Sequence, residues 1–288
     1  MAEATLLQKI FVTICAVTRS TDLAARWIGA APFLPALFVL RYANMGGLDH
    51  ELFAEQIRGA RSFRDARWCD YWNDIAETHA RCATDLLRSL AGAESSAVPD
   101  LTDPDTASEH LDGLASWISP AAELFADQGP QPDSRTLAAI VDEHALAGDR
   151  PRIALAYRAI DAWVKAITYY QVSAFPGHDP HRMHAYWRSR HLFDALINAL
   201  APTLGLTVDH VEIPVGGGDV VRGYLVVPPK PGPHPVVLTT NGLEGTVQEL
   251  AIPQLRYRNS GMAMYVMEMP GSYAYTHPMR PQSEAVYH

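Results

Sequence analysis

Up to about residue 203, apolar positions recur three and four apart, the spacing that gathers side chains on one face of an α-helix. The stretch "RDARWCDYWNDIAETHARCATDLLRS" puts Trp68, Trp72, Ile75, His79, Cys82 and Leu86 on one apolar stripe of a helix several turns long. Asp49 and Ser62 are placed to act as N-caps for this helix and the one before it. Residues 93–104, "AESSAVPDLTDP", have the composition of a loop. Weaker helical patterns cover 105–127 and 134–147, separated by "DQGPQPDS", and two long aromatic-rich helices are predicted over Arg152–Ser173 and His181–Leu200.

The period changes after Pro202. "VDHVEIPV", "DVVRGYLVVP", "HPVVLTTN" and "GMAMYVMEMP" are short β-rich runs bounded by Gly, Pro and Asn, with "VGGGD" as a hairpin turn between the first two. The third and fourth are nearly continuous apolar runs, the pattern of strands buried on both faces of a parallel sheet. Between them "TVQELAIPQLRYRNSG" has helical spacing through Val247, Leu250 and Leu255, with a kink expected at Pro253. The fold class is therefore α/β, with a helical region over 1–203 and a sheet region over 204–288.

Composition narrows the function classes. Hydrophobic residues make up 48% and charged residues 19%, as in a globular chain. A net charge of −9 with no dense basic run excludes a general nucleic-acid surface. Cys15, Cys69 and Cys82 form no metal-ligand spacing and read as small apolar residues in a reducing compartment. The apolar stretch Trp27–Leu40 is only about 14 residues long and is broken by Pro32 and Pro35, whereas a membrane span needs ~20. The N-terminus lacks the basic segment of a secretory signal. A cytoplasmic, soluble protein is expected, with the Ile10–Leu40 region as a buried or dimer-forming surface.

Two loops carry candidate chemistry. Asn241–Gly245 follows a strand and precedes a helix, where ligand sites of open α/β sheets lie and where helical N–H groups are available to an anion. Gly242 and Gly245 would admit close backbone approach, although an ordinary strand-to-helix turn also favours glycine. The second loop, "MEMPGSYAY", presents Glu268, Ser272 and Tyr273. Ser272 lies outside any G-x-S-x-G elbow and reads as structural. His178, His181, His184 and His191 crowd the start of the last long helix, but acidic partners are few and no metal is expected. Tyr157, Trp163, Tyr169, Tyr170 and Trp187 read as core before pocket lining.

Residues 208–275 resemble the opening strands of the FrsA-like α/β-hydrolases, whose hallmark is a helical N-terminal cap packed over the hydrolase domain. The family's Gly-Leu-Glu/Asp-x-x-x-x-Glu turn is matched by Gly242, Leu243, Glu244 and Glu249. Its Asp-x-Pro-Gly-x-Gly turn is matched by Glu268, Pro270 and Gly271, while Tyr273 replaces the second glycine and Tyr275 and Thr276 also depart. "DARWCDYWNDIAETH" and "AYRAIDAWVKAITYYQVSAF" fit the cap loosely. The resemblance implies a helical cap domain over 1–203 and the N-terminal portion of a hydrolase domain over 204–288. It implies an oxyanion-hole donor at Leu243–Glu244, worth ~3 kcal/mol in such chemistry, with Glu244 as a pocket residue. It implies serine-dependent hydrolysis of an ester, or of an activated C–C bond beside a ketone, without a cofactor.

In α/β-hydrolases the nucleophile sits on G-x-S-x-G after the fifth strand, and none of the 288 residues forms that motif. The expectation is a chain truncated before its nucleophile elbow, with no catalytic triad and no activity alone. Its apolar third strand should be uncovered. The partners expected are a small ester or ketone-containing substrate once the domain is completed, a second copy of the chain, or a complementary C-terminal chain. The alternatives are a non-catalytic binding or dimerising module, or one half of a split hydrolase.

Overall fold

The computed structural model describes residues 6–103, 106, 110–125, 139, 141–143, 151–215, 218–242, 244–275, 277–281 and 283–284. The helical part contains α1 (Leu6–Val17), α2 (Thr21–Ile28), α3 (Ala36–Gly46), α4 (His50–Gly59), α5 (Asp65–Ala91), α6 (Leu111–Ile118), α7 (Pro151–Ala174) and α8 (Pro180–Thr203). The sheet part contains β1 (Thr207–Pro214), β2 (Val220–Val227), β3 (Val236–Thr239), α9 (Val247–Gln254) and β4 (Ala263–Met267). The helix expected over 134–147 falls mostly outside the described residues. Within 105–127 the described residues include α6 and a 3₁₀ turn over Ser119–Phe125, and residues 105, 107–109, 126 and 127 lie outside the described ones.

Helix α5 follows its predicted course, with Trp68 and Trp72 of the predicted stripe buried and the rest of its buried face rotated towards the alanines. Its buried row runs through Cys69, Trp72, Ala76, Ala80, Ala83 and Leu87, while Cys82 is exposed and Ile75 and Leu86 are half-buried. The alanines meet α7, whose Ala156, Ala159, Ala162 and Ala166 are also buried, so two small-residue surfaces bring the helix axes close. Trp68 and Trp163 fill the remaining volume and donate their indole N–H groups to Val172 O and Leu192 O, at 3.0 and 3.1 Å. Asp49 caps α4 through the N–H groups of Glu51 and Leu52. Ser62 caps no helix. It accepts from Arg64 N and donates to Asp22, tying α2 to the start of α5.

The sheet order is β1-β2-β4-β3. β1 and β2 form an antiparallel hairpin, β2 and β4 pair antiparallel, and β3 runs parallel to β4 with Val236 opposite Ala263. The carboxyl ends of β3 and β4 and the β1–β2 turn therefore share one edge of the sheet. Gly223 is required in β2 because a Cβ there would meet the Tyr265 ring at 2.8 Å. Tyr224, Val226, Met264 and Val266 belong to the same continuous core as the helices, so the helical part covers a face of the sheet.

β4 is buried as its apolar run predicts, but β3 is not. It lies at the end of the sheet with Val236 59% and Leu238 57% exposed, which corrects the reading of a strand buried on both faces and agrees with the uncovered-edge expectation. No described helix is long and apolar enough to cross a membrane.

Candidate functional site

The turn between β3 and α9 is built by its own polar side chains. Asn241 donates from Nδ2 to Thr246 O at 2.9 Å, and Gly245 N–H donates to Gly242 O at 3.0 Å. A Cβ on Gly245 would lie 2.1 Å from the Asn241 amide, so glycine is obligatory for this closure. Thr246 is the N-cap of α9: its Oγ1 accepts from Glu249 N–H and from the buried Gln171 amide at 2.7 Å. Glu244 takes a left-handed backbone with φ +65°, a conformation uncommon for a residue with a side chain. Leu243 lies outside the described residues, as does Thr276.

The helical region holds this turn from above. Arg41 on α3 grips Glu249 with two 2.6 Å hydrogen bonds and donates a third to Glu244 O at 2.9 Å. Its guanidinium lies over the Phe175 ring at 5.0 Å. Glu244 Oε2 accepts from Gly177 N–H at 2.8 Å and from the Tyr273 hydroxyl at 2.7 Å. His178 Nδ1 lies 4.0 Å from the other carboxylate oxygen. Burial, reinforced by the Glu244 carboxylate, pushes the Tyr273 phenol far above its ordinary value, so it remains a donor.

Glu268, at the end of β4, is fully buried. Its carboxylate accepts from Tyr186 hydroxyl (2.9 and 3.1 Å), Val247 N–H (3.0 Å) and Ala274 N–H (3.1 Å), with Arg190 at 3.5 Å. Arg190 in turn donates to the Tyr224 hydroxyl, which bonds Asp194. The N-terminus of α9 was expected to offer free N–H groups to a ligand. Instead Val247 N–H is occupied by the protein's own carboxylate, and Gly245 N–H is spent inside the turn. Gly271, at φ +87°, packs so tightly on the Met279 backbone that a Cβ would lie 2.3 Å from its nitrogen. Ser272 is buried, and its Oγ has no hydrogen-bond partner in the described structure.

Tyr273 stacks on Tyr186, with ring centroids 4.8 Å apart and planes at 11°, and fills the space that a glycine would leave. Sequence reasoning missed Arg41, Tyr186 and Arg190. A single arginine inside the apolar run "ALFVLRYANM" was the available signal for the first. It also missed the pair at the β1–β2 turn, where His277 Nδ1 lies 3.1 Å from Asp219 Oδ2.

Among the described residues no group of three or more His, Cys, Asp or Glu is arranged to hold a metal ion. Asp179 caps α8 through His181 N–H. Tyr157, Trp163, Tyr169 and Tyr170 are core, and Trp187 is 37% exposed.

A comparison with solved structures finds AbyA5 at 25% identity and TM-score 0.37, covering 56% of this chain and 42% of that one. It also finds the crystal structure of 2,6-dihydroxy-pseudo-oxynicotine hydrolase at 25% identity and TM-score 0.33, covering 49% and 38%. Among curated proteins, Esterase FrsA of Enterobacter sp. (strain 638) is 28% identical over 112 residues, 38% of this chain. The chain spans about a quarter of that relative's length, 26%. A family model described as Esterase FrsA-like matches residues 139–288, just over half of the chain. With its α/β sheet and helical cover, this chain belongs to the FrsA-like esterase family.

Proposed function

We propose that these residues form the cap and the oxyanion side of a serine-dependent hydrolase acting on an ester or on an activated C–C bond beside a ketone. In this reading the nucleophile and its base come from polypeptide outside the 288 residues. The observation that carries it is the β3–α9 turn, pinned at the carboxyl end of a parallel strand beneath α3 and α7. The family resemblance puts the oxyanion donor at Leu243–Glu244, of which Leu243 lies outside the described residues; the neighbouring Gly245 and Val247 amides are already committed. The exposed Val236 and Leu238 support a sheet that continues beyond β3. The free cysteines, two of them buried, fit a reducing, cytoplasmic setting.

The test is fluorophosphonate labelling of the purified 288-residue chain, with and without the polypeptide encoded immediately downstream. No labelling of the chain alone is expected, and labelling of one serine once the downstream segment is present. Labelling of the chain alone, abolished by a single serine substitution within it, defeats the proposal.

A second reading, a non-catalytic binding module, draws on the acceptors left around the turn. Gln171 Oε1, Asn241 Oδ1 and Gln248 Oε1 are buried without a hydrogen-bond partner in the described structure. Such acceptors suit a ligand that donates hydrogen bonds, while an oxyanion needs donors. Saturable binding of a phenolic or hydroxylated ligand without turnover, with or without added polypeptide, favours this reading.

A further inference from the structure

We infer that α1, α2 and α3 form the interface through which two copies of this chain associate, each copy's α1 lying across the α2–α3 face of the other. Helix α1, "LLQKIFVTICAV", is apolar on nearly every side, yet only Cys15 is buried. A helix that is apolar all round requires cover on several sides. At 12 residues it is also at the length where an isolated helix is marginal in water.

Leu6, Leu7, Ile10, Ile14 and Val17 stand exposed, Leu7 by 79%. The neighbouring helices expose a second apolar set: Leu23, Trp27 at 81%, and Leu37 at 71%. Together the two sets leave eight large apolar side chains between 48% and 81% exposed, where a standard interface buries ~800 Å² per partner. Monomeric proteins rarely leave so large a patch in water.

The chemistry selects a second copy over a lipid surface. An interfacial membrane helix carries a strongly charged face rich in Lys and Arg, and α1 offers Lys9 alone on a chain of net charge −9. α1 is also far too short to span a bilayer. Two apolar patches side by side on one chain satisfy each other across a two-fold axis, α1 of each copy on α2–α3 of its partner.

Sedimentation velocity of the chain between ~1 and ~50 μM tests this, with a dimer expected. Ile10→Asp with Ile14→Asp damages the α1 patch, and Trp27→Glu damages the receiving patch. Each should weaken dimerisation by roughly 100-fold or more, with far-UV circular dichroism and cooperative melting unchanged. Mixing the two variants should partly restore the dimer, because one of its two reciprocal contacts is then intact. A monomer at ~50 μM, a dimer indifferent to both changes, no recovery on mixing, or co-sedimentation with phosphatidylglycerol vesicles overturns the inference.

Discussion

The buried side-chain carboxyl of Glu268 accepts the backbone N–H of Val247 at 3.0 Å, so a group from the end of β4 closes the first turn of α9. The same carboxyl gathers Tyr186 and Ala274, which makes it the joint between helix α8 and both strand-end loops. Glu268→Ala would leave the Tyr186, Val247 and Ala274 donors unpaired and take from Arg190 one of its two carboxylates, a loss of about 3–5 kcal/mol. Urea unfolding measures it. A loss below ~1 kcal/mol would mean that the joint carries little of the fold.

The pH dependence of the same group has a definite sign. Burial is the largest influence on Glu268 and pushes it up. Arg190 and the donors Val247, Tyr186 and Ala274 pull it back without cancelling the rise. A carboxyl raised in the folded state contributes stability fully below its unfolded value of 4.5 and loses it as pH climbs through the folded value. The stability difference between the native chain and Glu268→Gln should therefore be largest in mild acid and decline as pH rises. The opposite slope would identify a carboxylate ionised throughout.

Asp22 provides the contrasting case. Partial burial pushes its carboxyl up, but the Ser62 hydroxyl, Phe63 N–H and the guanidinium groups of Arg26 and Arg64 outweigh that and hold it low. A lowered folded value means the contribution is present above 3.8 and lost as pH falls through the folded value. Asp22→Asn should cost about 1–2 kcal/mol at neutral pH, the gap closing under acid. A penalty that stays constant down to the acid limit would assign the loss to geometry instead of charge.

Much of this architecture is legible in the chain. The strand runs are bounded by Gly, Pro and Asn, and their observed limits fall within a few residues of those boundaries. The misreadings have physical causes. A continuous apolar run looks the same in a strand buried on both faces and in β3, whose Val236 and Leu238 are uncovered. The apolar stripe of α5 runs in sequence through its bulky residues, but close packing on α7 selects the alanine row, which carries almost no hydrophobic signal. At the site, Gly242 and Glu244 were visible as a turn. Their holders Arg41 and Tyr273 are distant in sequence, 203 and 29 residues from Glu244, and a single chain carries no record of such contacts.

The Arg41–Glu249 pair should couple α3 to α9 energetically. Both side chains are mostly buried, and the fork geometry gives two short charge-assisted bonds. A double-mutant cycle with Arg41→Met and Glu249→Gln should return a coupling of about 1–3 kcal/mol, above the ~0.5 typical of exposed pairs. Additive losses would show that the two groups are held in place by their other contacts.

Tyr273 stands where the family turn has its second glycine and makes contacts that a glycine cannot. Its hydroxyl holds Glu244 Oε2 at 2.7 Å and reaches Ala174 O at 3.3 Å, while its ring packs on Tyr186. Tyr273→Phe keeps the stacking and removes both bonds, and should cost about 1–2 kcal/mol because a part-buried carboxylate loses a donor. Tyr273→Gly restores the small residue of the family turn and also removes the ring, which should cost about 3–5 kcal/mol by the large-to-small rule. If, as proposed, further polypeptide supplies the nucleophile, Tyr273→Phe paired with it should retain a normal labelling rate where the tyrosine only supports Glu244. A labelling rate that falls tenfold or more with stability intact would place the hydroxyl in contact with the substrate.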